Sequence, residues 1–322
     1  MKKLENLSWQ PSWVTHLGCL KGCLDYLGSD LSPAWLWGGT GHAFFINIHP
    51  VICPSGPTAW KTGIIHKLGK NVGYEVECIL GFKQNGDFQE KQQLAWDAIR
   101  QAIDNGLPCF GWELDVPEYY VIYGYDDVGY HFKGPGCDEG KGPYPWEKLG
   151  DTGIGVTEAY VVKSGTPADD AQTVKEALHF AIEASRSPED YIHPGYKAGL
   201  PGYDLWLSAF AEKKAEGFGT SYNAAVWSEC RTLAAEFLRE AKSRLDGNAG
   251  SSFDAAIAGY ATVAQNLQIV AETFPFLSTS DEQKDANVKD PKCVEKAVAC
   301  LQEARRAEAA GLESLKQIIA EL

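Results

Sequence analysis

The feature that most constrains the fold of this 322-residue chain is a change of pattern near residues 164–167. Before it, short apolar runs alternate with turns rich in Gly, Pro and aromatic residues, which is typical of strands mixed with helices. After it, apolar residues recur at helical spacing and no alternating β pattern appears. We therefore predict two domains, an α+β domain over 1–165 and an all-helical domain over 166–322, each long enough to bury its own core.

The periodicity also predicts individual elements. In the first domain we expect helices at 17–27 and 89–105 and strands at 42–48, 108–114, 119–125, 129–133 and 156–162. Asp126 and Asp127 indicate a tight hairpin between two of these strands. In the second domain we expect no strand beyond residue 170, a turn at 247–250, and helices at 168–186, 203–216, 221–245, 252–273 and 292–322.

Charge and composition exclude several partners. The formal net charge is −14, whereas duplex nucleic acid and anionic membrane surfaces attract basic proteins. No apolar run approaches the roughly 18 residues of a membrane span. Two N-terminal lysines are not followed by an apolar stretch, so we expect no signal peptide. These features predict a cytoplasmic protein with nine reduced cysteines, and they leave self-association open.

Metal and cofactor motifs are not recognisable. Cys19 and Cys23 would share a helix face, but no second Cys/His pair at ligand spacing completes a zinc site. The glycine-rich run at 38–42 precedes an apolar stretch predicted as a strand, whereas phosphate-binding and dinucleotide-binding loops open a helix. We therefore expect neither a metal nor a cofactor.

Three segments of the first domain carry a resemblance to a known family. They are Thr-His-Leu-Gly-Cys-Leu-Lys-Gly-Cys-Leu-Asp-Tyr-Leu-Gly at 15–28, Tyr-Tyr-Val-Ile-Tyr-Gly-Tyr-Asp-Asp at 119–127, and Gly-Tyr-His-Phe-Lys-Gly-Pro at 129–135 with Pro-Trp at 145–146. In this order they resemble papain-like cysteine peptidase domains of bacteria. The relevant members are the bacteriocin-processing (double-glycine leader) peptidases and the N-terminal domain of butirosin biosynthesis protein H. The similarity covers residues 8–163.

The resemblance implies a helix packed on a mainly antiparallel sheet, with a catalytic Cys at the helix start, a His from a strand and an acid that orients it. In this sequence the three positions fall on Thr15, Glu118 and Gly134. Gln10 is the candidate for the oxyanion donor of the family. We expect Thr15 to begin the helix and to hydrogen-bond Glu118 across a cleft roofed by the helical domain.

Other residues remain candidates for the site. A shift of the alignment by four residues would make Cys19 the nucleophile, and His42 or His16 could act as a displaced base. Besides His16, the candidate ligand-binding residues are Tyr120, Trp112 and Cys53.

Three functions follow from these expectations. The first is a papain-like protein whose triad is degenerate or replaced, which binds a small molecule or an acyl or peptidyl group between its two domains. The second is an active amide hydrolase or acyltransferase of a biosynthetic pathway that uses Thr15 or Cys19. For this second function, the resemblance to the butirosin protein implies acyl transfer from a carrier thioester to an amine. The third is a non-catalytic protein that binds a partner through its helical half.

Overall fold

A computed structural model describes residues 1–245 and 250–322. The helices are α1 (Thr15–Tyr26), α2 (Pro33–Gly39), α3 (Gly63–Val72), α4 (Phe88–Asp104), α5 (Asp170–Ala184), α6 (Gly199–Ala211), α7 (Gly217–Arg244), α8 (Gly250–Thr273), α9 (Asp281–Asn287) and α10 (Pro291–Glu321). The strands are β1 (Lys2–Lys3), β2 (Asn47–Ile48), β3 (Tyr74–Phe82), β4 (Cys109–Trp112), β5 (Tyr119–Tyr125), β6 (Gly129–Lys133), β7 (Lys141–Pro145), β8 (Val156–Ser164) and β9 (Lys197–Ala198). Within these residues, no helix combines the length and the apolar character needed to cross a membrane. The predicted turn at 247–250 lies, apart from Gly250, outside the described residues.

The chain forms two compact units. Unit 1 comprises Met1–Ser32 and Gly73–Pro167, and unit 2 comprises Pro33–Val72 and Ala168–Leu322. The predicted fold class is confirmed, because an antiparallel sheet with helices is followed by a helical C-terminal region. The division of the chain differs from the predicted one at residues 33–72. We had assigned this segment to the first domain, whereas it packs with the helices of unit 2.

The centre of unit 1 is a fully antiparallel sheet with the strand order β3-β8-β4-β5-β6-β7, and β1 pairs with β5. Helix α1 packs on β4, β5 and β8, and α4 packs on β3 and β8. The two helices cover opposite faces. The ring of His16 in α1 contacts Tyr160, which lies directly across from Cys78, whereas Lys91 in α4 lies against Gly81. Since Cys78 and Gly81 point to opposite faces of β3, the sheet separates two helical layers.

The predicted strands at 108–114, 119–125, 129–133 and 156–162 are present as β4, β5, β6 and β8. The hairpin signal has a clear basis, since the Asp126 carboxylate accepts the N–H groups of Val128 (2.9 Å) and Gly129 (3.2 Å). Strands β3 and β7 were not predicted. Two prolines obscure the pattern of β7, and β3 has apolar side chains on both faces in its second half.

Unit 2 is built around a buried ion pair between Arg231 of α7 and Glu308 of α10, which is joined at 2.7 and 2.9 Å. The Tyr203 hydroxyl donates to the same carboxylate at 2.6 Å. The remaining guanidinium nitrogen of Arg231 donates to the carbonyl oxygens of Ala43 and Phe45, both at 2.9 Å. Because those carbonyls belong to the segment 33–72, this network explains why the segment packs with the C-terminal helices.

Two expectations for unit 2 were wrong. The strand predicted at 42–48 is a 3₁₀ turn at His42–Phe44, followed by the two-residue strand β2. The expectation of no strand beyond residue 170 fails at β9, which pairs with β2. Strands of two residues are too short to produce a period-two pattern, and the apolar run at 42–48 is buried without being extended throughout.

The ion pair of unit 2 generates a stability prediction. Glu308→Gln keeps the shape of the side chain but leaves the Arg231 charge buried without its counter-charge, so we expect unfolding free energy to fall by about 3–5 kcal/mol. The control is Asp204→Asn, which removes the partly exposed pair between α6 and Arg305 of α10. It should cost less than about 1 kcal/mol. Urea denaturation followed by circular dichroism measures both, and equal small losses would contradict the assigned role of Arg231.

Candidate functional site

Thr15 and Glu118 form a polar pair at the first turn of α1. The Thr15 hydroxyl donates to Glu118 Oε2 at 2.5 Å and accepts the Tyr119 N–H at 3.1 Å. Thr15 is 6% exposed, whereas Glu118 is half-buried and reaches solvent. The structure therefore brings together the two residues that the resemblance to papain-like domains predicts at the nucleophile and histidine positions.

The loop between β4 and β5 orients Glu118. The Glu113 N–H donates to the Glu118 carbonyl at 2.8 Å, and Glu113 is held at φ 59° while its carboxylate accepts the Thr152 hydroxyl at 2.8 Å. A left-handed conformation is uncommon for Glu, so the surrounding bonds must hold it in place. The loop thus delivers the Glu118 carboxylate to Thr15 from a constrained backbone.

Next to this pair, aromatic rings surround a carboxyl group. The His16 ring stacks on Tyr119 at 4.5 Å and lies 5.2 Å from the ring of Tyr160. Both phenols donate to Glu158, Tyr119 at 2.9 Å and Tyr160 to the other carboxylate oxygen. Burial raises the pKa of the Glu158 carboxyl, and the two tyrosine hydrogen bonds oppose this shift. Phe110 completes the group, stacked on Tyr160 at 4.7 Å.

Glu158 and Tyr160 were not identified from the sequence. The available signal was their spacing of two residues in β8, which places a carboxylate and a phenol on the same face of the strand. Period two alone does not reveal that Tyr119, from a different strand, meets the same carboxylate. That contact depends on β4 lying between β5 and β8.

Gly134, where the resemblance places the acid, carries no side chain. A Cβ built on Gly134 would lie 2.5 Å from the ring of Tyr120, so that ring fills the space of a side chain there. The Tyr120 hydroxyl accepts the Val116 N–H at 3.1 Å, which makes Tyr120 a support of the β4–β5 loop. Trp112 packs edge-on against Tyr119 at 4.9 Å and is buried. Both were candidate ligand-binding residues, and in unit 1 Tyr120 supports the β4–β5 loop while Trp112 packs against Tyr119.

Gln10 and Cys19 do not take the expected catalytic places. The Gln10 amide donates to Asp25 Oδ2 at 3.0 Å, near the C-terminal end of α1, whereas Thr15 begins the helix. Cys19 is fully buried, and burial together with the Glu118 charge raises the pKa of its thiol well above the usual range. Cys19 is therefore a neutral core thiol, and the alignment shift that made it a nucleophile is not supported.

His42 and Cys53 belong to unit 2, where each has its own partners. His42 is buried, with Nδ1 3.6 Å from Cys230 Sγ and its ring 5.5 Å from that of Trp60. Burial lowers the pKa of its imidazole to about 3. Cys53 Sγ lies 2.7 Å from Ser55 Oγ, which in turn lies 2.6 Å from the Tyr196 hydroxyl. A neutral, enclosed imidazole packs as part of a core.

Unit 1 also has a groove of about 670 Å³, whose polar side chains are less suited to binding or catalysis than the Thr15–Glu118 pair. Its lining includes Lys83, Phe88, Gln92, Trp146 and Asp151. The amide of Gln92 is occupied, because it donates to the carbonyl oxygens of Glu147 (2.6 Å) and Leu149 (2.9 Å). Lys83 and Asp151 pair with each other at 2.7 Å. The groove therefore presents structural contacts, and the Thr15–Glu118 pair remains the stronger candidate.

No protein-family model and no curated protein matches the sequence. In the part of the chain that the structure describes, no group of three or more His, Cys, Asp or Glu side chains is arranged to hold a metal ion. The chemistry open to the site therefore depends on its own geometry.

The Thr15 hydroxyl gives the first prediction for the site. Thr15→Val removes the donor to Glu118 and the acceptor for the Tyr119 N–H, so we expect a loss of about 1–3 kcal/mol in unfolding free energy. Thr15→Ser keeps both hydrogen bonds and should retain most of the stability. Thermal and urea unfolding of the two variants measure the difference. Equal losses for Val and Ser would show that the hydroxyl contacts do not contribute.

His42 gives a prediction about pH. Its imidazole has an ordinary pKa of 6.5, and its folded-state pKa is lowered to about 3. Between these two values the unfolded chain binds a proton that the folded chain does not bind. The stabilisation is present above pH 6.5 and is lost as pH falls toward 3, by about 2 kcal/mol at pH 5. Urea titrations from pH 7 to 5 should show a smaller pH dependence for His42→Gln than for the wild type. Superimposable pH dependences would contradict this assignment.

Proposed function

We propose that unit 1 is a papain-like module whose catalytic positions hold other residues, and that it binds an acyl or peptidyl group, or a related small molecule, without cleaving it. The observation that carries the proposal is the Thr15 hydroxyl, which is engaged on both sides by Glu118 and the Tyr119 N–H. The proton of this hydroxyl and one of the two lone pairs on its oxygen are therefore both committed to the protein, which holds the side chain in place as a structural group.

The neighbouring groups support binding over thiol catalysis. The nearest thiol on the helix, that of Cys19, is buried and neutral, and Gly134 carries no acid that could orient a base. Carboxylates are weak bases toward an aliphatic hydroxyl near neutral pH. The ordinary chemistry of the family therefore lacks its nucleophile, its imidazole and its acid at these positions.

The class of ligand follows from the same groups. The half-buried Glu118 carboxylate can accept a hydrogen bond from an amide N–H, and the first turn of a helix favours a carbonyl oxygen or an anion. The rings of His16, Trp112 and Tyr119 are buried and form the apolar packing behind this spot. An acyl or peptidyl group combines these features. The proposal assigns the protein to a reducing cytoplasm, with no nucleic-acid or membrane partner.

The alternative is an active amide hydrolase or acyltransferase in which Glu118 is the base for Thr15. The observation in its favour is the direction of the hydrogen bond, since the hydroxyl proton points to the carboxylate. In this mechanism the second lone pair of the hydroxyl oxygen would attack the substrate while the Tyr119 N–H holds the first. The two proposed functions place the ligand at the same residues, but only the enzyme would turn it over.

Restoring the family's residues tests the papain-like assignment. In the double variant Thr15→Cys, Glu118→His, the introduced thiol should react with iodoacetamide at pH 7 at least about tenfold faster than in Thr15→Cys alone, because a neighbouring imidazole favours the thiolate and a neighbouring carboxylate opposes it. Peptide mapping by mass spectrometry reads the rate at position 15. Adding Glu118→Gln to Thr15→Cys controls for loss of the negative charge, and equal rates in all three would contradict the assignment.

Turnover and binding separate the two functions. With N-acetyl-dipeptide p-nitroanilides and acyl thioesters we expect no hydrolysis or transfer above that of Thr15→Val. An N-acetyl-dipeptide amide should shift the amide resonance of Tyr119 in the wild type, and Glu118→Gln should reduce the shift. Turnover that both Thr15→Val and Glu118→Gln abolish would establish the enzyme, and absence of both turnover and binding would overturn the proposal.

A further inference from the structure

The two outer strands of the sheet in unit 1 differ in how well they are protected against pairing with another strand. Strand β7 carries Pro143 and Pro145, which lack N–H groups and so discourage pairing. Strand β3 is nine residues long, and among the described residues it pairs only with β8. Its second half, residues 78–82, contains neither a charge nor a proline. Natural proteins protect edge strands with such residues, so this unprotected half of β3 indicates that another strand covers it.

The side chains of this half are exposed on one face. Leu80 is 44% exposed and Phe82 is 37% exposed. Cys78, two residues before Leu80, is also exposed. These three residues alternate along β3, so they form one apolar row at the edge. An exposed apolar row beside free backbone groups fits an extended strand better than a globular surface.

The backbone groups that face outward can be identified from the β3–β8 register. Residues 83 and 155 continue that register, and the Lys83 N–H donates to the Gly155 carbonyl at 2.8 Å. Hydrogen-bonded pairs alternate along an antiparallel ladder, so the odd-numbered residues of β3 direct their N–H and C=O groups to β8. Cys78 and Leu80 therefore direct theirs to the open edge, as does the Phe82 N–H, while the Phe82 carbonyl accepts the Asn85 N–H at 2.8 Å.

We propose that two copies of this chain pair through β3, antiparallel and centred on Leu80, to form one continuous sheet across a two-fold axis. This register is self-complementary. Leu80 lies opposite Leu80 of the second copy, and Cys78 opposite its Phe82, so the apolar rows merge. On the other face, Ile79 lies opposite Gly81, and Glu77 lies opposite Lys83.

Charge favours this register. Gly81 presents no side chain, and the Lys91 side chain of α4 packs against its Cα, so Ile79 of the second copy would meet Lys91 there. Lys83 is half-exposed and already contacts Asp151, and Glu77 has a long contact of 3.9 Å with Lys163. Opposite charges across strands stabilise a pair, whereas a register that opposed Glu77 to its own copy would not.

Helix α4 extends the surface into a second layer. Lys91 leans over β3, and Leu94, three residues further on, is 47% exposed. Residues three apart share a helix face, so Leu94 lies on the flank of α4 that borders the open edge. The two-fold axis would bring this flank toward its counterpart and cover Leu94. The inference is independent of any ligand at Thr15.

Molecular mass in solution is the first test. Sedimentation equilibrium of the wild type should give twice the 35.2 kDa of one chain, and Leu80→Lys should give the mass of one chain, because it opposes two charges across the axis. Leu277→Lys alters a leucine of unit 2 that is 84% exposed and should leave the dimer intact. A wild type that is monomeric throughout the accessible concentration range would overturn the proposal, as would a Leu80→Lys protein that remains dimeric with an unchanged circular dichroism spectrum.

Disulfide trapping tests the register itself. In a Cys78→Ser background, Leu80→Cys should form a covalent dimer on mild oxidation, since opposed residues of a hydrogen-bonded pair have Cα atoms about 5.5 Å apart, within disulfide range. Phe82→Cys in that background should not, because the two thiols are four residues out of register, roughly 13 Å apart. Phe82→Cys with Cys78 retained should cross-link again. Any other pattern of covalent dimer formation among these three variants would exclude pairing centred on Leu80.

Discussion

Unit 1 depends on one buried hydroxyl. Thr15 ties the first turn of α1 to the start of β5 by donating to Glu118 and accepting the Tyr119 N–H. If it were absent, a half-buried carboxylate and a backbone donor would each need another partner, and leaving such groups unsatisfied costs more than the hydrogen bond itself contributes. The left-handed Glu113, the β4–β5 loop and the stacking of His16 on Tyr119 all lie next to that connection.

Unit 2 shows the same principle with a charge. Arg231 is fully buried, and its donors are distributed between the Glu308 carboxylate and two carbonyl oxygens of the segment 33–72. A buried guanidinium is tolerated only where such partners are complete. The residues involved lie as much as 265 positions apart, between Ala43 and Glu308. In both units, therefore, a polar network fixes a segment that local sequence preferences would leave undetermined.

The separation in sequence between interacting residues explains which features the sequence could predict. Helices α1 and α4 and the β5–β6 hairpin were predictable because their signals lie within about 17 residues, as helical periodicity or turn chemistry. The pairing of Thr15 with Glu118 was expected from the order of segments in a resembling family. The meeting of Glu158 with Tyr119, and the packing of residues 33–72 in unit 2, depend on strand order and buried ion pairing, which no local pattern records.

The open edge and the candidate site share one face of the sheet. Leu80 lies directly across from Glu158, whose carboxylate accepts the Tyr119 hydroxyl, and the Tyr119 N–H donates to Thr15. A route of this kind transmits an effect only if one of its members has two discrete states. Burial raises the pKa of the Glu158 carboxyl, and the hydrogen bonds from Tyr119 and Tyr160 oppose this shift. The same tyrosines that favour the carboxylate thus connect the edge strand to the first turn of α1. The connection is a set of packed neighbours, and it does not by itself couple pairing at the edge to events at Thr15.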